Sequence, residues 1–268
     1  MQGSVTTLIG YDRLNSADVP EKIRKQTADG GYGIVQYAVL YSVNNTNAVI
    51  SDLNIISRYP GYNPTKATVN TEEYKTAGIF TDTSTNLTIT GCDIKGASFG
   101  LYVSYSPNAI ITNNNIHDQY TNGIINFASA KSIIANNTIT NVVNHGIDVR
   151  HGVGPNVIVF NNTIDGAKEG IYLMHSKGHM VYNNTIKNAK IASITAYGSG
   201  NEYIFNNTMT GSRIGLLLGS GYYNVTIGPN SYTLDTLPYP PTFGTYIAFA
   251  DTQFQSPEEV QGTYSDGD

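Results

Sequence analysis

The stretch NNTITN at residues 136–141 recurs along the chain in nearly constant phase. Its counterparts are NNNIHD (113–118), NNTIDG (161–166), NNTIKN (183–188) and NNTMTG (206–211). GCDIKG (91–96) extends the register one step earlier, and SDLNIIS (51–57) extends it again. The apolar anchors Ile116, Ile139, Ile164, Ile186 and Met209 are separated by 23, 25, 22 and 23 residues. A second element keeps the same period: GIFTD from Gly78, GLYVS from Gly100, GIINF from Gly123, GIDVR from Gly146, GIYLM from Gly170, ASITA from Ala192 and GLLLG from Gly215. Self-similarity at a fixed period is the mark of stacked repeats, each too small to bury its own apolar face. Two short strand patterns, locked in phase within every repeat, predict a coil.

The segments carry β-branched and aromatic residues flanked by Gly and Asn, which favours strands over helices. The leucine pattern of leucine-rich repeats is absent, although the length would fit. The expectation is an all-β, right-handed parallel β-helix of about 22–25 residues per rung, with rungs about 4.8 Å apart. Seven Asn-x-Ser/Thr sequences, at Asn44, Asn86, Asn136, Asn161, Asn183, Asn206 and Asn224, could mark glycosylation. Four recur in phase, and they read better as an asparagine ladder whose amides bond from rung to rung. The single cysteine, Cys92, falls in the column of Asn114, Asn137, Asn162, Asn184 and Asn207. There it is expected to be a buried, inert thiol.

One domain over 1–268 is expected. SADVPEKIRKQ offers Asp18 as an N-cap and Pro20 in the first turn, so a short capping helix over 16–27 should plug the first rung, whose open edge would otherwise invite pairing. The span 57–77 interrupts the period and reads as an inserted loop, and 232–268 as a C-terminal cap and tail. A net charge of −5 and a pI near 5.5 exclude a nucleic-acid binder, which needs a basic footprint. No apolar run is long enough for a membrane span. There is no signal-peptide pattern, so an extracellular location is inferred from the expected substrate alone, and a monomer is expected.

Period-two alternation sends the residues before and between the apolar positions of each Gly-φ-x-φ-x strand outward. Those columns hold Asn122, His145 and Glu169; then Tyr102, Ile125, Asp148 and Tyr172; then Ser104, Phe127, Arg150 and Met174. One position on lie Tyr105, His151, His175 and Tyr197. The run HGIDVRHG (145–152) thus sets His145, Asp148 and Arg150 on one outward face, with Tyr172 a rung above and Asn122 a rung below. An elongated groove of this kind suits a linear polysaccharide. For a uronic-acid polymer the hard step is removal of the C5 proton beside a carboxylate. That step needs a donor on the carboxylate, a base near neutral pH and an acid. Arg150 and Asn122 are candidates for the first, His145 for the second and Tyr172 for the third, with Asp148 orienting its neighbours. His151, His175, Tyr197, Tyr102 and Lys177 are candidate substrate-binding residues. Lys131 and His179 read as loop residues facing solvent.

HGIDVRHG also resembles the Tyr-Gly-φ-Asp-Pro-His segment of mannuronan C5-epimerases, which are right-handed parallel β-helix proteins acting on alginate. Gly146, Ile147 and Asp148 match; His145, Val149 and Arg150 stand where that family has tyrosine, proline and histidine. Its further histidine would fall at Ile191. The resemblance implies an alginate-type substrate, on which β-helix lyases begin with the same proton abstraction. With the family's histidines displaced, a lyase is the first expectation. The alternatives are an epimerase or a non-catalytic glycan-binding tailspike or adhesin. No metal or cofactor is expected, there being no convergent acidic cluster; calcium is the one ion the resemblance admits.

Overall fold

The computed structural model describes residues 6–10, 12–13, 37–57, 76–151, 156–219, 221–233 and 247–249. Within them the chain coils into three sheets of ten, eight and nine strands. Each turn of the coil contributes one strand to each sheet, in the order eight, nine, ten. For example, Ile110–Thr112, Asn115–Gln119 and Asn122–Phe127 follow one another and join the three sheets in turn. Among the described residues, pairing between successive rungs is parallel throughout, and antiparallel contacts occur only where Asp12–Arg13 and Ile247–Phe249 join the ten-stranded sheet. The described residues contain no helix. The expected capping helix at 16–27 lies outside them, as do 58–75 of the expected loop and most of the expected tail.

The repeat works because side chains stack in register. Ile79, Leu101, Ile124, Ile147, Ile171, Ile194 and Leu216 form one inward column of the ten-stranded sheet, each without accessible surface. Ile94, Ile116, Ile139, Ile164, Ile186 and Met209 form another in the nine-stranded sheet. Full burial of one such side chain stabilises the fold by about 1.5–3 kcal/mol. Glycine precedes the first column because the coil wall leaves no room there. A Cβ on Gly146 would sit 2.6 Å from Ile164 Cγ2 and 2.7 Å from the Gly170 carbonyl.

The expected asparagine ladder is present in the column that contains Cys92, on the second asparagine of each pair. Asn114, Asn137, Asn162, Asn184 and Asn207 are buried. The Oδ1 of Asn137 accepts from both the backbone N–H and the side-chain amide of Asn114, at 3.1 and 3.0 Å, and Asn162 does the same for Asn137 at 3.0 and 3.0 Å. These are the second asparagines of each pair. The first, Asn136, Asn161, Asn183 and Asn206, which begin the glycosylation-type sequences, are exposed and stand at φ near 55°, where asparagine is tolerated and most residues are strained. Cys92 sits in the ladder as expected, with its N–H donating to Asn114 Oδ1 at 3.0 Å. Burial pushes its thiol pKa up.

One rung departs from the sequence register. Ser193, rather than Ala192, occupies the glycine column, since Glu169 pairs with Ala192 and Ile171 with Ile194. The rung therefore turns Ile194 inward, and Tyr197 pairs with Met174 in the Arg150 column instead of following His175. The epimerase histidine position correspondingly falls at Ala192. A second departure is His179, which is fully buried in the coil interior instead of facing solvent.

Candidate active site

The strand His145–Arg150 lies in the middle of the ten-stranded sheet. Ile147 and Val149 point into the core, so Asp148 and Arg150 lie on the outer side; His145, two residues before Ile147, departs from that alternation and joins them through its contact with Asp148. Around the Asp148 carboxylate these side chains converge. The Nδ1 of His145 lies 2.8 Å from Oδ2, Asn122 Nδ2 donates to Oδ2 at 2.8 Å, and Arg150 Nε donates to both oxygens at 2.7 Å. Asn144 Nδ2 in turn donates to Asn122 Oδ1 at 3.2 Å. Tyr172, one rung above Asp148, stacks on the imidazole with ring centroids 4.3 Å apart and planes 14° apart. The Arg150 guanidinium lies 5.7 Å from the centre of the same phenol ring.

The expectation that this cluster faces solvent needs correction. Asp148 has no accessible surface, His145 is 6% exposed and Asn122 is 2% exposed. Tyr172 and Arg150 are partly exposed. Sheet periodicity gave the face of Asp148, Arg150 and Tyr172, but the neighbouring side chains pack over one another and seal the carboxylate. Burial alone would push its pKa up. The hydrogen bond and charge of His145, and the charge of Arg150, outweigh burial and hold it below the usual carboxylate range. An ionised carboxylate can only accept, so in the neutral form of the imidazole the proton sits on Nδ1 and the Nε2 lone pair is left for basic chemistry. Burial, followed by the Glu169 charge, pushes the Tyr172 phenol up to about 12, so it stays protonated. Arg150 directs Nε and an amino nitrogen at Asp148; the pair is net neutral, and Arg150 is less a cation for substrate than the sequence suggested.

The candidate binding residues divide into three groups. Phe127, His151, His175 and Tyr197 continue from Tyr105 as a row of rings at the strand ends, with successive centroids 5.6, 5.4, 5.5 and 5.8 Å apart. His151 and His175 stand there at φ 50° and 47°, and burial, then the neighbouring His175 and Arg150, lower the His151 pKa. Tyr102 is separated from Asp148 by Ile125. It is 8% exposed and packs among Phe80, Phe99 and Phe127, which removes it as a stacking platform. Lys177 is exposed and lies farther along, where it bridges Gly200 at the turn toward the eight-stranded sheet. Among the described residues no group of three or more His, Cys, Asp or Glu could hold a metal ion.

A cleft of about 530 Å³ was not read from the sequence. It lies at the turn between the nine- and ten-stranded sheets and is lined by residues including Lys95, Asp118, Tyr120, Asn141 and Val143. Its one sequence signal is that Tyr120 and Val143 each precede a site residue, Asn122 and His145, by two positions.

No curated protein matches this sequence. Among solved structures, the Dettilon tailspike protein is 14% identical with a TM-score of 0.45, covering 71% of this chain and 55% of its own, so the chain spans about half the tailspike's length. A mannuronan C-5 epimerase A-module from Azotobacter vinelandii is 16% identical with a TM-score of 0.37, covering 79% of this chain and 83% of its own. An alginate lyase from a Paenibacillus species is 12% identical with a TM-score of 0.30, covering 87% of this chain and all of its own. The family model described as the right handed beta helix region matches residues 37–214, and the chain belongs to that family.

Proposed function

We propose that the protein is an extracellular polysaccharide lyase that cleaves a linear uronic-acid polymer, alginate foremost, by β-elimination. The observation that carries this reading is the His145–Asp148 contact at 2.8 Å beneath a protonated Tyr172. Asp148 orients the imidazole, as a buried carboxylate does in other base dyads. His145 Nε2 takes the C5 proton, and the released electron pair forms the C4–C5 double bond as the C4–oxygen bond breaks. The Tyr172 hydroxyl gives its proton to the departing oxygen. Because Asp148 and Arg150 cancel in charge, donors for the substrate carboxylate come from the ring row, His151 and His175, with Lys177 beyond it. An epimerase would share the first step and return a proton to the opposite face.

The test is the ultraviolet absorbance of the unsaturated uronyl product during incubation with alginate, pectate and hyaluronan. Product should form from alginate, and His145→Ala should slow it by at least about a hundredfold, the lower end of what a general base contributes. The second reading, a glycan-binding module without chemistry, is favoured by one observation: Asp148 is wholly enclosed by protein donors. Binding of alginate with no product from any polymer would select it.

A further inference from the structure

We infer that the cleft at the turn between the nine- and ten-stranded sheets is a subsite holding one hexuronate residue of a polymer chain. This rests on the uronate-polymer reading above and adds a place for the substrate that reading did not assign.

The turn is preformed. Gly96, Asp118 and Asn141 succeed one another there at φ 80°, 54° and 53°, and Gln119 braces it from inside, accepting from Ala97 N–H at 2.9 Å and donating to the Ile94 and His117 carbonyls at 2.8 Å. Two residues farther on, the chain enters the ten-stranded sheet at Asn122 and His145, so Tyr120 and Val143 lie within about 7 Å of chain from the catalytic cluster. A polymer leaving that cluster would meet the cleft next.

The lining combines three kinds of group that one uronate sugar would use. Asp118 is held by His117 Nδ1 at 2.7 Å and Asn141 Nδ2 at 2.5 Å, and the His117 hydrogen bond, then Asn141's, lower its pKa. Each carboxylate oxygen keeps a second lone pair for a sugar hydroxyl. Lys95, one rung earlier, helps lower the Asp118 pKa yet forms no ion pair with it within contact distance. An ammonium held apart from a fixed carboxylate suits a ligand bearing both a carboxylate and hydroxyls; a neutral sugar would leave Lys95 unused. Val143, 51% exposed, with Ile56 and the Tyr120 ring, supplies an apolar floor for the C–H face of a pyranose.

The experiment is calorimetric titration of the full chain with oligouronates of defined length, and with neutral gluco-oligosaccharides of the same length. Lys95→Ala and Tyr120→Ala should each weaken oligouronate binding about tenfold, while Lys131→Ala, at an exposed lysine outside the cleft, binds as the wild type does. Thermal unfolding of each variant checks that the fold is intact, and Lys95→Ala carries the test if Tyr120→Ala loses it. Unchanged affinity in the folded cleft variants overturns the proposal; so does equal binding of neutral oligosaccharides, or no oligouronate binding by the wild type. Weakened binding in the cleft variants without any unsaturated product would defeat the lyase reading and leave the subsite standing. Product formation with unweakened cleft variants would do the reverse.

Discussion

Glu202→Gln should stabilise the protein by about 3–5 kcal/mol at pH 8 and by far less near pH 4.5. Glu202 and His179 are both fully buried in one column inside the coil. The N–H of His179 donates to Glu202 Oε2 at 2.7 Å, and His179 Nδ1 accepts from Val157 N–H at 3.1 Å. Neither Glu202 Oε1 nor His179 Nε2 has a hydrogen-bond partner, so both groups are held neutral. Burial pushes Glu202 from 4.5 up to about 8 and His179 from 6.5 down to about 4. The contribution of Glu202 is therefore complete below pH 4.5 and is lost as pH rises toward 8, at about 1.4 kcal/mol per unit. That of His179 is complete above pH 6.5 and is lost as pH falls toward 4. Between 4.5 and 6.5 the two slopes oppose, giving a plateau, and between 6.5 and 8 Glu202 acts alone. Denaturant unfolding across pH 4–9 checks this: the variant should lose the alkaline decline and keep the acid one. An unchanged alkaline limb would mean that Glu202 ionises in place without strain.

Removing the Asp148 carboxylate should have an effect of similar size and opposite sign. Asp148→Ala leaves Arg150 and His145 facing each other with no counter-charge, and breaking a buried pair by deleting one partner costs about 3–5 kcal/mol. The loss should appear as a lower denaturant midpoint with an unchanged slope. Asp148→Asn separates stability from chemistry. It keeps the shape and costs less, but its amide offers Nδ1 a donor and so favours the imidazole tautomer with the proton on Nε2. Product formation should fall about a hundredfold or more. An Asp148→Asn variant with wild-type activity would reduce the carboxylate to a structural role.

The stacking was legible because identical residues at equivalent positions are what hold a coil together. The Ile116-to-Met209 column and the place of Cys92 in the asparagine ladder follow from spacing alone. The register failed at one rung for a local reason: Ala192 and Ser193 are both small enough to be tried in the glycine column, and only the burial of Ile194 decides between them. A one-residue slip moves every side chain to the other face, which is why Tyr197 was placed one column off. For the site, His145, two residues before the inward Ile147, departs from strict alternation, and period two gave the common face of Asp148, Arg150 and Tyr172. It could not give depth, because the sealing of Asp148 depends on packing by residues from other rungs. His179 escaped for a similar reason, since a polar residue inside a strand-end corner looks the same in sequence as one outside it. The cleft at Tyr120 and Val143 needed the turn geometry of three successive rungs before it existed at all.

Hydrogen exchange at C5 tests the catalytic assignment most directly. Alginate incubated in deuterium oxide with Tyr172→Phe should take up deuterium at C5 while its chain length stays unchanged, because the base remains and the acid for the leaving oxygen is gone. His145→Gln should give neither exchange nor cleavage. Undiminished exchange in the His145→Gln variant would contradict the account, since some other group would then be taking the proton.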